Sequence, residues 1–394
     1  MNPLTEDFFK YQAQTTPSPL AMEISHAEGS YVYDFHQKKY LDFVAGVSAC
    51  SLGHRPPSVV TAVKEQLDKY WHVMVYGEFV QQPAVELTKL LAKHLPESLS
   101  CTYLTNSGTE AIEGAMKLAK RATGRSQFIA AKNAYHGSTQ GAMSIMGFEE
   151  RKSAYRPLLP GIEYIGFNND EDLLKIGTKT AAVVLETIQG GAGFIIPKNG
   201  YLRKVKKRCE EVGALLILDE IQPGMGRTGK LFAFETFGIV PDILVMGKGL
   251  GGGFPIGAFS TSPALMKLIQ TDPILGHITT FGGHPVIASA ALATLQQITG
   301  GRLMKETLQK EQLFRQLLVH DRILEIRGMG LMLALILPDA ETANQLVLRC
   351  LDKGLILFWL LFEKKAVRIT PPLTLSEKEI REGCNILLSV LDEL

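Results

Sequence analysis

Between about positions 100 and 260, apolar residues occur in short uninterrupted runs that are separated by helical stretches. Strands that are apolar throughout, rather than alternately apolar and polar, are typical of a mainly parallel sheet with both faces covered. The pattern therefore predicts an α/β fold with a large, mainly parallel sheet. The predicted strands are 102–104, 128–131, 163–165, 182–185, 215–218, 243–246 and 256–260.

A second group of strands and helices begins near Ile323 and indicates a smaller α+β domain. We expect an N-terminal segment (1–50) that packs with this small domain, a large domain (51–300) and the C-terminal small domain itself (301–394). Outside the main run, the predicted elements are a hairpin of 31–34 and 40–43, strands at 331–336 and 366–369, and helices at 57–69, 285–299, 340–353 and 376–391.

Two ionisable residues stand at the ends of predicted buried strands, where ligands bind in sheets of this kind. Lys248 follows the strand 243–246 and is flanked by glycines, and Asp219 follows the strand 215–218. Burial of an ammonium is costly unless its pKa falls or it finds a partner, and a deprotonated lysine attacks aldehydes and ketones. The pair matches the needs of pyridoxal phosphate, where a lysine forms the Schiff base and an acid holds the proton on the pyridine nitrogen.

Hydroxyl and aromatic residues follow two other predicted strands. Ser107, Gly108 and Thr109 stand at the start of a predicted helix, where free amides and hydroxyls form a phosphate cradle. The same residues are equally compatible with a plain helix cap. Tyr135 is either a ring that stacks on a planar cofactor or an ordinary core aromatic residue.

Two further motifs match a nucleotide-binding pattern only in part. Residues 224–230 have the P-loop spacing, but Leu231 stands where the Mg²⁺-binding Ser or Thr belongs. Residues 247–252 have the glycine spacing of a dinucleotide site, but Pro255 breaks the helix that should begin there. The nine histidines show no metal-ligand spacing, so no metal site is predicted.

Composition and charge favour a cytoplasmic enzyme. The chain has 394 residues, 46% of them hydrophobic and 21% charged, and its net charge of +1 gives no reason to expect nucleic acid or a membrane as partner. Its five dispersed cysteines indicate reduced thiols. The first nine residues lack the apolar segment of a signal peptide, and the longest apolar stretch, near 355–362, is too short to span a bilayer.

Taken together, the motifs resemble the class III pyridoxal-phosphate-dependent aminotransferases, in the subgroup of the acetylornithine, ornithine and 4-aminobutyrate enzymes. The resemblance runs in order from about Gly29 to the C-terminal part. The matching stretches are Asn106-Ser107-Gly108-Thr109-Glu110-Ala111, Tyr135-His136-Gly137, Asp219-Glu220-Ile221-Gln222, residues 224–229, residues 248–253, Thr280-Phe281-Gly282-Gly283, and Arg368 with Pro371-Pro372.

This resemblance implies the type I fold of pyridoxal-phosphate-dependent transferases, with the cofactor in the large domain. It implies that Lys248 and Asp219 are catalytic: the lysine carries the cofactor and shuttles the proton, and the acid pairs with the pyridinium nitrogen. It implies a substrate carboxylate on Arg368, which suits a bidentate guanidinium. The remaining cofactor-binding residues that it implies are Ser107, Gly108 and Thr109 at the phosphate, Tyr135 stacked on the ring, His136 and Glu186 beside it, Gln222 on the ring hydroxyl, and Thr280 from the other subunit of a homodimer.

Three positions depart from the family pattern. In the ornithine and 4-aminobutyrate enzymes, a glutamate that shields the arginine stands at the position of Gly191. His284 replaces the usual asparagine after Gly-Gly, and Thr187 replaces the usual proline after Glu186. These changes bear on the choice of substrate rather than on the cofactor.

We therefore predict a cytoplasmic, homodimeric aminotransferase with shared active sites and no nucleic-acid or membrane partner. It would move an amino group from an amino acid or ω-amino acid to a 2-oxo acid such as 2-oxoglutarate, in a ping-pong reaction through pyridoxamine phosphate. The alternative is an aminomutase, racemase or decarboxylase on the same fold. A regulatory protein that keeps the fold without turnover is disfavoured by the complete set of Lys248, Asp219, Gln222 and Arg368.

Overall fold

Fifteen strands form three sheets in this computed structural model, which describes residues 3–394. The strands predicted from the apolar pattern are all present, with slightly shifted bounds. The strands are β1 Ile24–Glu28, β2 Tyr31–Asp34, β3 Lys39–Asp42, β4 Cys101–Thr105, β5 Gln127–Ala131, β6 Ile162–Ile165, β7 Thr180–Glu186, β8 Leu215–Asp219, β9 Ile243–Gly247, β10 Gly257–Thr261, β11 Glu325–Met329, β12 Met332–Ile336, β13 Leu355–Ile356, β14 Phe358–Trp359 and β15 Ala366–Ile369.

The four predicted helices are likewise confirmed, as α3, α10, α12 and α13. Each ends within a few residues of the predicted position. The helices are α1 Pro3–Tyr11, the single turn α2 Ala45–Ser48, α3 Pro57–Leu67, α4 Gln82–His94, α5 Gly108–Thr123, α6 Gln140–Ser144, α7 Tyr201–Val212, α8 Phe234–Phe237, α9 Pro263–Met266, α10 Pro285–Gly300, α11 Leu303–Leu317, α12 Ala340–Asp352 and α13 Glu377–Asp392.

The central sheet has seven strands in the order β4-β10-β9-β8-β7-β5-β6. Strand β10 runs antiparallel to both of its neighbours, and the other paired strands are parallel. On β7, Val183 and Leu185 belong to one core cluster, while Ala182 and Val184 belong to another. Because successive residues of a strand point to opposite faces, both faces are covered, as predicted.

The second part of the fold is a four-stranded antiparallel sheet in the order β11-β12-β15-β14. Residues of this sheet and of α11, α12 and α13 share a separate core cluster, which includes Phe314, Leu335 and Leu346. Leu41 and Phe43 belong to the same cluster. Strand β3 also pairs with β13, so the N-terminal segment contacts the C-terminal part. The domain limits at residues 50 and 300 stay predictions.

A membrane span would need a helix that is both long and apolar. None of the helices within residues 3–394 has that length and composition. The longest of them carry charged faces or pack in the core, as α5 and α13 do around their buried alanine, leucine and isoleucine positions.

Candidate active site

Three ionisable residues stand at the ends of neighbouring strands of the central sheet. Glu186 is the last residue of β7, Asp219 is the last residue of β8, and Lys248 directly follows β9. Glu186 and Asp219 are paired in register. The backbone amide of Glu220 donates to the carbonyl of Val245 at 2.8 Å, which joins the ends of β8 and β9. Since parallel strands end at one edge of a sheet, all three side chains lie at the edge where ligands bind.

The carboxylate of Asp219 is buried and held through both of its oxygens. Oδ2 lies 2.8 Å from Nδ1 of His136, and Oδ1 accepts a hydrogen bond from the amide of Ile221 at 2.9 Å. Nε2 of His136 is buried and has no partner within residues 3–394. The two contacts fix the direction of the carboxylate, which leaves it oriented for a ligand atom at this edge.

The amine of Lys248 lies in surroundings that favour its neutral form. Burial lowers its pKa, and the charge of Arg368 adds to this effect, while the charges of Asp219 and Glu186 oppose it. The residue has a φ of 41°, in the left-handed region that favours glycine. A lysine with a lowered pKa is a nucleophile for carbonyl compounds, so geometry and charge agree with the sequence prediction.

The start of α5 offers a site for an anion. Ser107 caps this 16-residue helix, and its Oγ accepts from the amide of Glu110 at 3.3 Å. The amides of the first turn point out of the helix and attract negative charge. A Cβ at Gly137 would lie 2.2 Å from Oγ1 of Thr109, and a Cβ at Gly108 would lie 2.6 Å from Cδ1 of Ile221. Glycine is therefore required at position 137, which has a φ of 129°, and a side chain at position 108 would have to displace Ile221.

Glu186 ties two loops to the site. Its Oε1 accepts from the amide of Tyr135 at 3.0 Å, and its Oε2 accepts from the amide of Gly190 at 2.8 Å. Burial raises the pKa of Glu186 to about 7. A Cβ at Gly190 would lie 2.5 Å from Oε1 of Gln222, so the backbone passes directly beside that side chain. Tyr135 and Gln222, which the sequence analysis assigned to the cofactor ring, thus lie close to Glu186.

Arg368 is a buried cation that has no carboxylate partner in the part of the chain that the structure describes. It lies on β15, and its Nε donates to the carbonyl of Trp359 at 3.1 Å. Its Nη1 is buried and has no hydrogen-bond partner within residues 3–394. Burial lowers the pKa of the guanidinium to about 10, and no acidic group opposes the shift. Its charge acts on Lys248, so the two residues face one site.

Thr280 lies apart from the other predicted residues. It is exposed in the segment between α9 and α10, and its hydroxyl makes no hydrogen bond within residues 3–394. Glycines 282 and 283 pack against Leu104 of β4, which is at the edge of the central sheet. The interactions described within residues 3–394 include no hydrogen bond that joins Thr280 to Lys248.

The sequence analysis missed Ser48 and Thr139, because only tertiary contacts bring these two residues to the candidate active site. Ser48 Oγ accepts a weak hydrogen bond from Nε2 of Gln222 at 3.4 Å. It ends a left-handed turn in which Val47 has a φ of 59°, a rare value for a β-branched residue. Strained backbone of this kind is frequent at functional sites. Thr139 shares a 2.7 Å hydrogen bond with Thr109 beside the start of α5. Neither residue has a motif that marks it.

Comparison with known proteins identifies the family. The model of the class III aminotransferases matches residues 11–391. The chain belongs to the class III aminotransferases. It is 38% identical to an acetylornithine aminotransferase of Caldanaerobacter subterraneus over 93% of this chain and 94% of that protein. It is also 38% identical to a putrescine aminotransferase of Pectobacterium atrosepticum over 92% of this chain and 80% of that protein.

Solved structures agree with this family. The ornithine aminotransferase of Toxoplasma gondii has a TM-score of 0.89 and 29% identity, with 99% of this chain and 95% of that chain covered. The omega transaminase of Pseudomonas jessenii in complex with PMP has a TM-score of 0.91 and 27% identity, with 99% and 98% covered. The protein is therefore a pyridoxal-phosphate-dependent transaminase of fold type I, as the resemblance implied.

Proposed function

We propose that this transaminase takes an ω-amino acid of the acetylornithine or ornithine kind as donor and a 2-oxo acid such as 2-oxoglutarate as acceptor. The observation that carries the proposal is the buried guanidinium of Arg368, whose Nη1 has no partner among the described residues and whose charge lowers the pKa of Lys248. A buried guanidinium without a counter-ion is costly, and a substrate carboxylate would relieve that cost with two charge-assisted hydrogen bonds. Both a donor and an acceptor that carry a carboxylate can use the same contact in turn.

Pyridoxal phosphate supplies a reactive aldehyde and a ring that stores electrons. We propose that Lys248 would hold its aldehyde carbon and then, as a free amine, would move the proton from the amine-bearing carbon of the donor to the carbon that the lysine had held. Asp219 would hold a proton on the pyridine nitrogen, and the amides of α5 with Ser107 and Thr109 would hold the phosphate. A buried acid, a lysine with lowered pKa and a glycine-lined helix start at one edge of the sheet support this arrangement.

Other residues complete the proposed cofactor site. Tyr135 would stack on the ring, Gln222 would donate to the ring hydroxyl, and His136 and Glu186 would fix the orientation of Asp219 and of the Tyr135 loop. The 2.8 Å contact of His136 with Asp219 and the 3.0 Å bond from the Tyr135 amide to Glu186 support these roles.

A half-reaction separates transamination from the other reactions known on this fold. The protein is mixed with one donor in the absence of a 2-oxo acid, and the cofactor spectrum is followed. A transaminase converts the cofactor stoichiometrically to its amine form, and 2-oxoglutarate then restores the aldehyde form. A spectrum that returns to the aldehyde form without a 2-oxo acid would indicate a racemase, mutase or decarboxylase instead. A panel of donors with 2-oxoglutarate and pyruvate then identifies the pair used.

Arg368 should set the preference for donors with a carboxylate. We expect 5-aminopentanoate to exceed pentylamine by about tenfold or more in kcat/KM, because the amine leaves the guanidinium unpaired at a cost of about 1–3 kcal/mol. Arg368→Ala should remove most of this difference by lowering kcat/KM for 5-aminopentanoate. The surface variant Arg349→Ala serves as the matched control and should keep it. A wild-type enzyme that prefers the plain amine contradicts the proposed role.

We propose that the enzyme is a homodimer with shared active sites. Support comes from large apolar residues that are exposed in two segments, 71–85 and 274–281. Parts of both segments line a cavity of about 540 Å³ together with residues 101–104. Exposed apolar residues grouped in this way are typical of interfaces. Thr280 lies in the second segment, where a partner could receive its hydroxyl. The large apolar residues exposed there are Trp71, Met74, Phe79, Val80, Val85, Ile274, Leu275, Ile278 and Phe281.

Complementation tests whether Thr280 acts in the partner's site. Thr280→Ala is measured alone first and should be strongly impaired, whereas Thr271→Ala, at an exposed threonine shortly before that segment, should not. Mixing Thr280→Ala with Lys248→Ala chains gives heterodimers with both lesions in one site and none in the other. Statistical mixing should then restore roughly a quarter of wild-type activity. Heterodimers that form but stay inactive would show that each site is built from one chain.

We also propose a cytoplasmic location. All five cysteines are free, and Cys209, Cys350 and Cys384 are buried in the core. Thiols without disulfides are typical of a reducing compartment. Fractionation of the native cells with an antibody against the protein would test this proposal, and recovery in the medium or in a membrane fraction would contradict it.

A further inference from the structure

The backbone at Gly190 and Gly191 contacts both residues of the candidate active site and an aromatic ring. On one side, the amide of Gly190 donates to Glu186, and Gln222 lies against the same residue. On the other side, the carbonyl of Gly191 accepts from the amide of Phe362 at 3.0 Å. A Cβ at position 191 would lie 2.8 Å from two carbons of the Phe362 ring. Any side chain at position 191 would therefore have to displace this ring.

Phe362 is held in place by a second phenylalanine. The rings of Phe148 and Phe362 stack with centroids 4.6 Å apart and an angle of 22° between their planes. The guanidinium carbon of Arg151 lies 5.9 Å from the centroid of the Phe362 ring. Stacked rings of this kind contribute about 0.5–1.5 kcal/mol beyond their burial. Both rings are only half-buried, so part of each faces open space.

The ring pair joins three segments that carry site residues. Phe148 follows Gly147, whose amide donates to the carbonyl of Ala134 at 3.0 Å, directly before Tyr135. Phe362 lies in the hairpin between β14 and β15, which carries Arg368 and is closed by a hydrogen bond from Leu360 to Ala366. The third segment is the glycine pair that follows Glu186. The rings therefore form an apolar wall between the loop of Tyr135, which we propose to stack on the cofactor ring, and strand β15, whose Arg368 we propose to bind the substrate carboxylate.

We propose that Phe362, positioned by Phe148 and by the absent side chain of Gly191, is a specificity-determining residue that narrows the donor pocket. The inference rests on the proposed use of Arg368 as carboxylate ligand and deepens it. A donor held by its amine at Lys248 and by its carboxylate at Arg368 has this apolar wall on one side. The two rings offer no counter-charge, and Arg151 places a positive charge 5.9 Å from the Phe362 ring. The site therefore disfavours donors that carry a bulky substituent on the chain between the amine and the carboxylate.

The decisive experiment compares two donors with the same amine and carboxylate. One is 5-aminopentanoate, and the other carries a bulky benzamido group on the carbon beside the carboxylate. In Phe362→Ala, kcat/KM of the bulky donor relative to the linear donor should rise roughly tenfold or more, because space opens beside Gly191. The kcat for the linear donor should change much less than its KM. Phe358→Ala removes an exposed ring from the same hairpin and should leave the ratio unchanged.

The glycine provides an independent test of the same contact. Gly191→Ala should displace the Phe362 ring and raise KM for the linear donor, and combining it with Phe362→Ala should cancel that increase. Such a double-mutant cycle isolates the contact between the two positions. The proposed contact is rejected if Gly191→Ala leaves KM for the linear donor unchanged. It is also rejected if Gly191→Ala raises this KM by the same factor in the presence and in the absence of Phe362→Ala.

Controls distinguish the failure of this inference from the failure of the proposed function. Binding of pentanoate and 2-benzamidopentanoate, which lack the reacting amine, is measured by calorimetry, and Phe362→Ala should strengthen only the second. Phe362→Leu keeps an apolar side chain without the flat ring, should give an intermediate ratio, and replaces the alanine variant if that one does not fold. An unchanged donor ratio in a variant that still completes the half-reaction overturns the role of Phe362 alone. A wild-type enzyme that converts no carboxylate donor overturns the proposed function itself.

Discussion

Lys248→Ala should abolish measurable transamination while leaving the fold intact. Lys248 follows β9 at the same edge as Asp219 and has a lowered pKa because of burial. The variant lacks both the nucleophile for the cofactor aldehyde and the group that moves the donor proton. Loss of a positioned acid-base group alone costs about 10²–10⁴-fold, and loss of the nucleophile adds to it. Single-turnover absorbance with 5-aminopentanoate measures the rate of cofactor conversion.

The attachment of the cofactor to this lysine can be mapped directly. Borohydride should bleach the yellow wild-type protein and fix the cofactor to one peptide, the one that contains Lys248. Lys230→Ala is the matched control, because Lys230 is an exposed lysine in another glycine-rich loop. This variant should keep colour, adduct and activity. An adduct on Lys230, or on any lysine other than Lys248, would reject the assignment.

The residues at the strand ends could be predicted because their signals are local. Strands β7, β8 and β9 of the central sheet are buried on both faces, so each reads as an apolar run. The first ionisable residue at the end of such a run marks the carboxyl edge of the sheet. Asp219 and Glu186 are found in this way, and the register of β7 with β8 places them side by side. Neither position requires knowledge of a distant part of the chain.

Residues that meet through the tertiary structure could not be predicted in the same way. Ser48 and Gln222 are far apart in the sequence, and no periodicity links them. The two-residue strand β14 is too short to show a pattern, although its residue Trp359 provides the carbonyl that binds Nε of Arg368. Short edge strands depend on their partners rather than on their own composition.

The departures from the family pattern show the same limit. The sequence identified Gly191 and His284 as unusual, but it did not show their neighbours. The ring of Phe362 occupies the space that a side chain at position 191 would need. The ring of His284 stacks on His72 with centroids 5.3 Å apart, and burial lowers the pKa of His284. A substitution can thus be recognised from the motif, whereas its physical consequence depends on the residue that occupies the space.

Asp219→Asn should slow the proton-transfer step by roughly 10²–10³-fold, the usual scale for removing a preorganised charge from a reacting centre. The amide has nearly the same shape, so the hydrogen bond from Ile221 can persist, but it carries no charge to stabilise a protonated pyridine nitrogen. The charge of Asp219 also raises the pKa of Lys248 against the effect of burial. Its removal therefore lowers the pKa of Lys248 further, so the lysine remains a neutral amine that can accept a proton. Only the capacity of the cofactor ring to stabilise negative charge is reduced.

The measurement separates cofactor binding from the chemical step. The variant should still bind the cofactor and take up colour, while single-turnover conversion with 5-aminopentanoate becomes slow. Asp242→Asn is the matched control, because Asp242 precedes β9 at the opposite edge of the sheet and is also hydrogen-bonded, accepting from Leu216 at 2.8 Å. It should react at nearly the wild-type rate. Near-normal conversion by Asp219→Asn would mean that another group, such as His136, protonates the ring, since its Nδ1 lies 2.8 Å from the same carboxylate.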